Sequence, residues 1–152
     1  MNTDSRIKEG SEISDIGVRN LKEREEGMGG AMAGTVLIAE DHELVRNLFK
    51  RTLERHGFKT VLAADGEEAV EQFRRYQDEV DLLLLDIAMP KKSGKQAFEE
   101  IRQAVPDIKV IFVSGCSEDN ECVKSILKEG HMFLPKPVTG KDLVGVIQSV
   151  LR

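Results

Sequence analysis

The 152-residue sequence contains no tryptophan, one tyrosine and only two cysteines. With 5% aromatic and 40% hydrophobic residues, the chain must build its core from leucine, valine, isoleucine and alanine. Cys116 and Cys122 have neither the flanking ligands of a zinc ribbon nor the spacing of a redox Cys-x-x-Cys pair. We interpret both as reduced thiols, as is typical of a cytosolic protein.

Long apolar runs and basic clusters are also missing. No uninterrupted apolar stretch approaches the roughly 18 to 20 residues of a membrane helix, and the charged amino terminus has no apolar signal region. We therefore expect a cytoplasmic protein with no membrane partner. The formal net charge of −5 argues against binding to nucleic acid, because no cluster of Lys and Arg offsets it.

The first 34 residues differ in composition from the rest of the chain. They are mostly charged and small, and they end in a glycine-rich stretch at residues 27–34. This composition predicts a flexible linker or tail over residues 1–34. Residues 35–152 then form one domain of ordinary size.

From residue 35 onward, short β-rich runs alternate with longer helical stretches. The predicted strands cover residues 35–39, 59–63, 82–86, 109–113 and 132–134. Most of these runs are nearly continuous in apolar residues, which is typical of strands buried on both faces. Asp65 and Ser93 can cap the second and third helices, and the fourth and fifth cover residues 120–129 and 139–151. The alternation predicts an α/β fold with helices on both faces of a five-stranded parallel sheet.

Charged residues follow three of the predicted strands. Glu40 and Asp41 come directly after the first strand, Asp86 ends the third, and Lys136 follows the fifth. The carboxyl ends of parallel strands meet at one edge of a sheet, so these side chains should form one site. Crowded carboxylates repel one another, and Mg²⁺ relieves that repulsion through oxygen ligation that it commonly shares with a phosphate. The pattern predicts phosphoryl chemistry, with Asp86 as a metal ligand or as the nucleophile.

Two further residues suit a phosphoryl group at this edge. Lys136 offers a point charge with three donors for one phosphoryl oxygen. Ser114, which follows the fourth strand beside the small Gly115, offers a hydroxyl for another. We assign no role to His42, because imidazole is a poor match for Mg²⁺.

Taken together, these motifs resemble the receiver domains of two-component response regulators. The resemblance spans residues 35–151 and lies in the order and spacing of its motifs. They are Glu40-Asp41, the stretch 85–90 with Gly94, Ser114-Gly115, and Phe133 placed three residues before Lys136-Pro137. It implies a flavodoxin-like, doubly wound (βα)5 fold with strand order 2-1-3-4-5.

The resemblance also implies a reaction and its ligands. Asp86 would accept a phosphoryl group from the phosphohistidine of a histidine kinase or phosphotransfer protein, and small phosphodonors could replace that protein. Asp41 and Asp86 would ligate Mg²⁺ directly, together with the backbone carbonyl of Ala88. Glu40 would bind the ion through water. Such a domain catalyses only its own phosphorylation and dephosphorylation, and is a monomer or weak dimer.

A conformational switch is implied as well. Lys136 and Ser114 would hold the phosphoryl group, and Ser114 and Phe133 would then move and remodel the surface of the fourth helix and the fourth and fifth strands. A downstream protein, which the sequence does not name, would bind that surface. In this family the peptide that corresponds to Lys136-Pro137 is often cis.

The sequence leaves open two other functions and two origins for the chain. The chain could be a docking module that works without phosphorylation, although its intact acidic pair, acceptor and lysine argue against this. An aspartate-nucleophile phosphatase of the haloacid dehalogenase type is disfavoured, because Ala88 stands where its second aspartate belongs. The chain ends at Arg152, so it is either a free-standing regulator or the carboxyl-terminal receiver of a hybrid sensor kinase, which we slightly favour.

Overall fold

The computed structural model describes residues 33–152, so the predicted linker at residues 1–34 lies almost wholly outside the described residues. Five strands and five helices alternate along the described chain. In chain order they are β1 (Gly34–Ala39), α1 (Glu43–Arg55), β2 (Phe58–Ala63), α2 (Gly66–Arg75), β3 (Leu82–Asp86), α3 (Gly94–Ala104), β4 (Lys109–Ser114), α4 (Glu121–Lys128), β5 (Met132–Pro135) and α5 (Gly140–Leu151). None of these helices is long and apolar enough to cross a membrane.

All five strands are parallel and lie in the order β2-β1-β3-β4-β5. The predicted flavodoxin-like topology is therefore confirmed. The register aligns Asp86 with Val113 and Ser114 with Pro135, so β3, β4 and β5 end at the same edge of the sheet.

Alternate residues of the central strands feed two separate cores. Leu83 and Leu85 of β3 point to one face, where they pack with α2, α3 and α4. Leu82 and Leu84 point to the other face, where they pack with α1 and α5. The prediction of burial on both faces holds for β1, β3 and most of β4. It is wrong for β2 and β5, which are the edge strands and are half-exposed over most of their length.

Local side-chain caps fix where the helices begin. The carboxylate of Asp65 accepts the backbone N–H of Glu68 at 2.7 Å, and Ser93 forms a reciprocal capping box with Gln96 at the start of α3. Both predicted caps are confirmed. α3 begins directly after the loop that follows Asp86, so its cap also fixes the course of that loop.

Candidate functional site

Three charged side chains from separate strand ends meet at the carboxyl edge of the sheet. Glu40 follows β1, Asp86 is the last residue of β3, and Lys136 follows β5. The Nζ atom of Lys136 lies 2.8 Å from Oε1 of Glu40 and 3.1 Å from Oδ2 of Asp86. The ammonium therefore bridges two carboxylates whose residues are 46 positions apart in sequence.

Both bridged carboxylates are buried. Glu40 is 1% exposed and Asp86 is 6% exposed. The backbone N–H of His42 donates to Oε2 of Glu40 at 3.0 Å, and the guanidinium of Arg46 donates to the carbonyl oxygen of Glu40 at 2.8 Å. The start of α1 thus holds Glu40 in place through hydrogen bonds to its carboxylate and to its backbone carbonyl.

The environment of Asp86 opposes its negative charge. Burial, together with the nearby charge of Glu40, raises the pKa of Asp86 to about 6. The ammonium of Lys136 and the backbone N–H of Ala88, 3.4 Å from Oδ1, act in the opposite direction. Asp86 is mostly ionised at neutral pH, yet its carboxylate gains from any further positive charge.

Lys136 remains a cation in this setting. Burial by itself would lower the pKa of its ammonium, but the contacts with Glu40 and Asp86 outweigh burial and raise the pKa. The backbone N–H of Lys136 also donates to the carbonyl oxygen of Ser114 at 2.8 Å. The lysine is thus fixed to β4 through its backbone and to two carboxylates through its side chain.

The other predicted metal ligands lie on the open side of the site. Asp41 is exposed, and its carboxylate, that of Glu40 and the imidazole of His42 offer ligand atoms within 4.8 Å of one another. Ala88 is exposed on the loop after β3. These donors are mainly hard oxygens beside solvent, so the residues fit the oxygen shell and retained waters that Mg²⁺ prefers.

The predicted switch residues lie on β4 and β5, on one side of β3. Ser114 is 1% exposed, and its hydroxyl accepts the backbone N–H of Cys116 at 2.9 Å. Phe133 pairs with Phe112 across β4 and β5, is half-buried, and packs against the core on the α4 side of the sheet. The Lys136-Pro137 peptide, which follows Phe133 by three residues, is cis.

Glycine is required close behind Asp86. A Cβ atom on Gly94 would lie 2.2 Å from the backbone oxygen of Asp86, a distance that no folded backbone tolerates. The N–H of Gly94 also donates to the carbonyl oxygen of Ile87 at 2.9 Å. The start of α3 therefore packs directly against the end of β3.

Sequence reasoning missed one feature of this site. It paired Lys136 with Asp86 but did not foresee the shorter contact with Glu40. His42, to which we assign no role from the sequence, has a side chain that is 77% exposed, and its Nδ1 lies 3.9 Å from Oε2 of Glu40.

Comparison with known proteins identifies the family. The family model of the response regulator receiver domain matches residues 36–148. The chain belongs to this family. As a receiver domain it is a module of two-component signalling.

Several relatives are similar to this receiver domain over most of its length. The sensor kinase CckA of Brucella abortus (strain 2308) is 37% identical over 120 residues, which are 79% of this chain and 13% of CckA. The transcriptional regulatory protein CpxR of Escherichia coli (strain K12) is 33% identical over 117 residues, which are 77% of this chain and 49% of CpxR. The receiver domain therefore spans half or less of these curated relatives.

A solved structure shows the same fold. In the CheX-CheY-BeF3-Mg²⁺ complex from Borrelia burgdorferi, the matched chain has a TM-score of 0.74 and 27% identity. The match covers 90% of this chain and 97% of that chain.

Proposed function

We propose that this receiver domain is the phosphoacceptor of a two-component phosphorelay. In this proposal Asp86 takes a phosphoryl group from a phosphohistidine donor in a Mg²⁺-dependent reaction. The observation that carries the proposal is the contact of Lys136 with Asp86 at 3.1 Å, at an edge where Glu40 is also buried. The arrangement supplies a nucleophile, a cation for the phosphoryl group and a surplus of negative charge for a metal.

Each residue of the proposed site has a distinct task. The ionised carboxylate of Asp86 attacks phosphorus, and the phosphohistidine imidazole leaves. Lys136 neutralises one phosphoryl oxygen, which requires its ammonium to keep contact while Asp86 changes from carboxylate to acyl phosphate. Asp41, Asp86 and the carbonyl of Ala88 would hold Mg²⁺ directly, with Glu40 bonded through water. The bound ion supplies charge neutralisation at the phosphoryl oxygens.

The proposed switch follows from the contact that Ser114 now makes. Its hydroxyl is engaged by the backbone N–H of Cys116. A new phosphoryl oxygen on Asp86 offers a stronger, charged acceptor for the hydroxyl hydrogen of Ser114. Movement of Ser114 would displace the loop before α4, and the half-buried ring of Phe133 would turn inward, which alters the surface of α4, β4 and β5 for a protein partner.

The partners and origin belong to the same proposal. The donor is a histidine kinase or phosphotransfer protein, and we place the reaction in the cytoplasm. Similarity to CckA supports an origin as the receiver of a hybrid kinase, whereas similarity to CpxR supports a response regulator. Because the identity to CckA is higher, at 37% against 33%, we favour the hybrid kinase.

Labelling by a small phosphodonor tests the acceptor directly. Acetyl phosphate with Mg²⁺ should add one alkali-labile phosphoryl group, seen as a mass increase in the intact chain and as a shifted band on a phosphate-affinity gel. Asp86→Asn should abolish it. Asp119→Asn is the matched control, because Asp119 is exposed on the loop after β4 at the same edge of the sheet.

Three results would contradict the proposal. Labelling that survives in Asp86→Asn would move the acceptor elsewhere. Absence of labelling in the native chain, with a folded domain by circular dichroism, would indicate a docking module. Repeated turnover of a small phosphate ester would indicate a phosphatase.

A further inference from the structure

Three potential metal ligands of two kinds lie together where β1 meets α1. Glu40, Asp41 and His42 each offer one ligand atom, and these atoms all lie within 4.8 Å of one another. Nδ1 of His42 is 3.9 Å from Oε2 of Glu40. Two carboxylates and one imidazole are therefore within reach of a single ion.

The members of this group differ in their freedom to move. Glu40 is held by the N–H of His42 and by the ammonium of Lys136, so its carboxylate is positioned before any ion binds. The side chain of His42 is 77% exposed and can turn toward an ion without opening the core. His42 is also the N-cap residue of α1, yet its side chain makes no capping hydrogen bond. Helix capping therefore does not account for the imidazole at this position.

An imidazole changes which ions such a group prefers. Mg²⁺ takes oxygen ligands and keeps several waters, whereas first-row transition ions accept imidazole nitrogen readily and bind it more tightly from Mn²⁺ toward Cu²⁺. We propose that His42 is a ligand for first-row transition metal ions at this acidic centre. With His42 the centre prefers an ion such as Co²⁺ over Mg²⁺ more strongly than its carboxylates alone would. This inference rests on the metal centre of the proposed function but not on phosphoryl transfer.

Spectroscopy of bound Mn²⁺ tests whether the nitrogen is a ligand. Electron spin echo envelope modulation on the full chain, prepared without a polyhistidine tag at pH 8, should show the ¹⁴N coupling of one coordinated imidazole. His42→Ala should remove that coupling and keep the backbone N–H that binds Glu40. His56→Ala is the matched control, because His56 is an exposed histidine at the other end of α1 and should leave the coupling unchanged.

Calorimetric titrations test the preference between ions. His42→Ala should weaken Co²⁺ binding by about tenfold or more and change Mg²⁺ binding by less than about twofold. His56→Ala should change neither. An equal loss for Co²⁺ and Mg²⁺ would show that His42 only shapes the start of α1 and would overturn the inference.

Two other results would overturn it as well: no ¹⁴N coupling in the native chain, or coupling that persists in His42→Ala. Acetyl phosphate labelling in Mg²⁺ separates this failure from failure of the proposed function. If Asp86 is labelled while the nitrogen signal is absent, only the role of His42 is wrong. If the nitrogen signal is present while Asp86 is not labelled, the ligand assignment stands and the phosphoacceptor proposal fails.

Discussion

Strand β3 has a buried aspartate at each end, and the two are held in opposite ways. Asp81 comes directly before the strand and is 8% exposed, while Asp86 is its last residue and is 6% exposed. Oδ2 of Asp81 accepts the backbone N–H of Thr35 at 2.9 Å. The N–H of Asp81 in turn donates to the carbonyl oxygen of Thr35 at 2.9 Å. Asp81 thus joins β3 to β1.

Asp86 has a less favourable setting at the other end. It contacts the ammonium of Lys136, receives only a long contact from the N–H of Ala88, and is repelled by Glu40. The comparison shows that burial alone does not define a carboxylate's role. At the amino end the carboxylate stabilises the sheet, whereas at the carboxyl end its surroundings favour an added cation.

The largest expected effect comes from backbone crowding at the carboxyl end. Gly94→Ala forces a Cβ atom against the backbone oxygen of Asp86, so β3 or α3 must shift. We expect the free energy of unfolding in urea to fall by about 3 kcal/mol or more. Gly145→Ala on α5 is the control, because its Cβ would meet nothing within 4 Å. It should raise the free energy of unfolding by about 0.5 to 1 kcal/mol. Equal effects of the two changes would show that the crowding behind Asp86 is easily relieved.

Removing the carboxylate at the amino end should weaken the sheet. Asp81→Ala leaves the N–H of Thr35, a residue that is 1% exposed, without its acceptor. We expect the free energy of unfolding to fall by about 1 to 3 kcal/mol, while phosphoryl labelling of the folded fraction stays unchanged. Denaturant titration and acetyl phosphate labelling measure the two quantities. Lost labelling in a folded Asp81→Ala protein would contradict the division of roles between the ends.

Removing the charge of Asp86 at the carboxyl end should raise the free energy of unfolding, whereas removing Asp81 lowers it. The pKa of Asp86 is raised from an ordinary value of about 3.9 to about 6, so the folded state binds a proton more tightly than the unfolded state. Stability from this group is therefore fully present below about pH 4 and is lost as the pH rises through about 6. Asp86→Asn should be more stable than the native chain by about 1 to 3 kcal/mol at pH 8 without divalent ions.

This gain should shrink as the pH falls and should vanish below about pH 4. Urea titrations of both proteins at a series of pH values check it. A gain that does not depend on pH would show that the asparagine acts through packing or hydrogen bonding rather than through loss of the charge.

The smallest expected effect is stabilisation by the metal. At ten times its dissociation constant, Mg²⁺ should raise the free energy of unfolding by about 1.4 kcal/mol. Asp41→Asn should reduce this gain, because Asp41 is a proposed direct ligand. Asp78→Asn, which changes an exposed aspartate before β3, should not. Thermal unfolding with and without Mg²⁺ compares the three proteins, and an undiminished gain in Asp41→Asn would remove Asp41 from the ligand set.

Local features of the fold were predictable from the sequence. The caps Asp65 and Ser93 act within three residues of chain, so their patterns are visible without tertiary structure. The strands were also found, with boundaries that differ by one residue at most. β1 begins at Gly34, β2 begins at Phe58 and β4 ends at Ser114. These residues lie at junctions, where pairing with a neighbouring strand decides the end.

Long-range features were only partly predictable. The sequence correctly predicts that Lys136 lies near Asp86, because the carboxyl ends of parallel strands meet at one edge of the sheet. The bond between Asp81 and Thr35, by contrast, joins residues 46 apart, and no local pattern indicates it. The distance between the imidazole of His42 and the carboxylate of Glu40 depends on the rotamer of the His42 side chain, which the sequence does not indicate. The assigned roles of the site residues remain predictions.

The formal charges at the carboxyl edge of the sheet have a consequence for timing. The proposed site residues alone, Glu40, Asp41 and Asp86 against Lys136, carry two net negative charges. A phosphorylated donor is itself an anion, so Coulomb repulsion hinders its approach until two positive charges have been added. Under the proposed function, the side chains therefore favour a sequence of arrival in which a divalent cation binds first and the phosphorylated donor second.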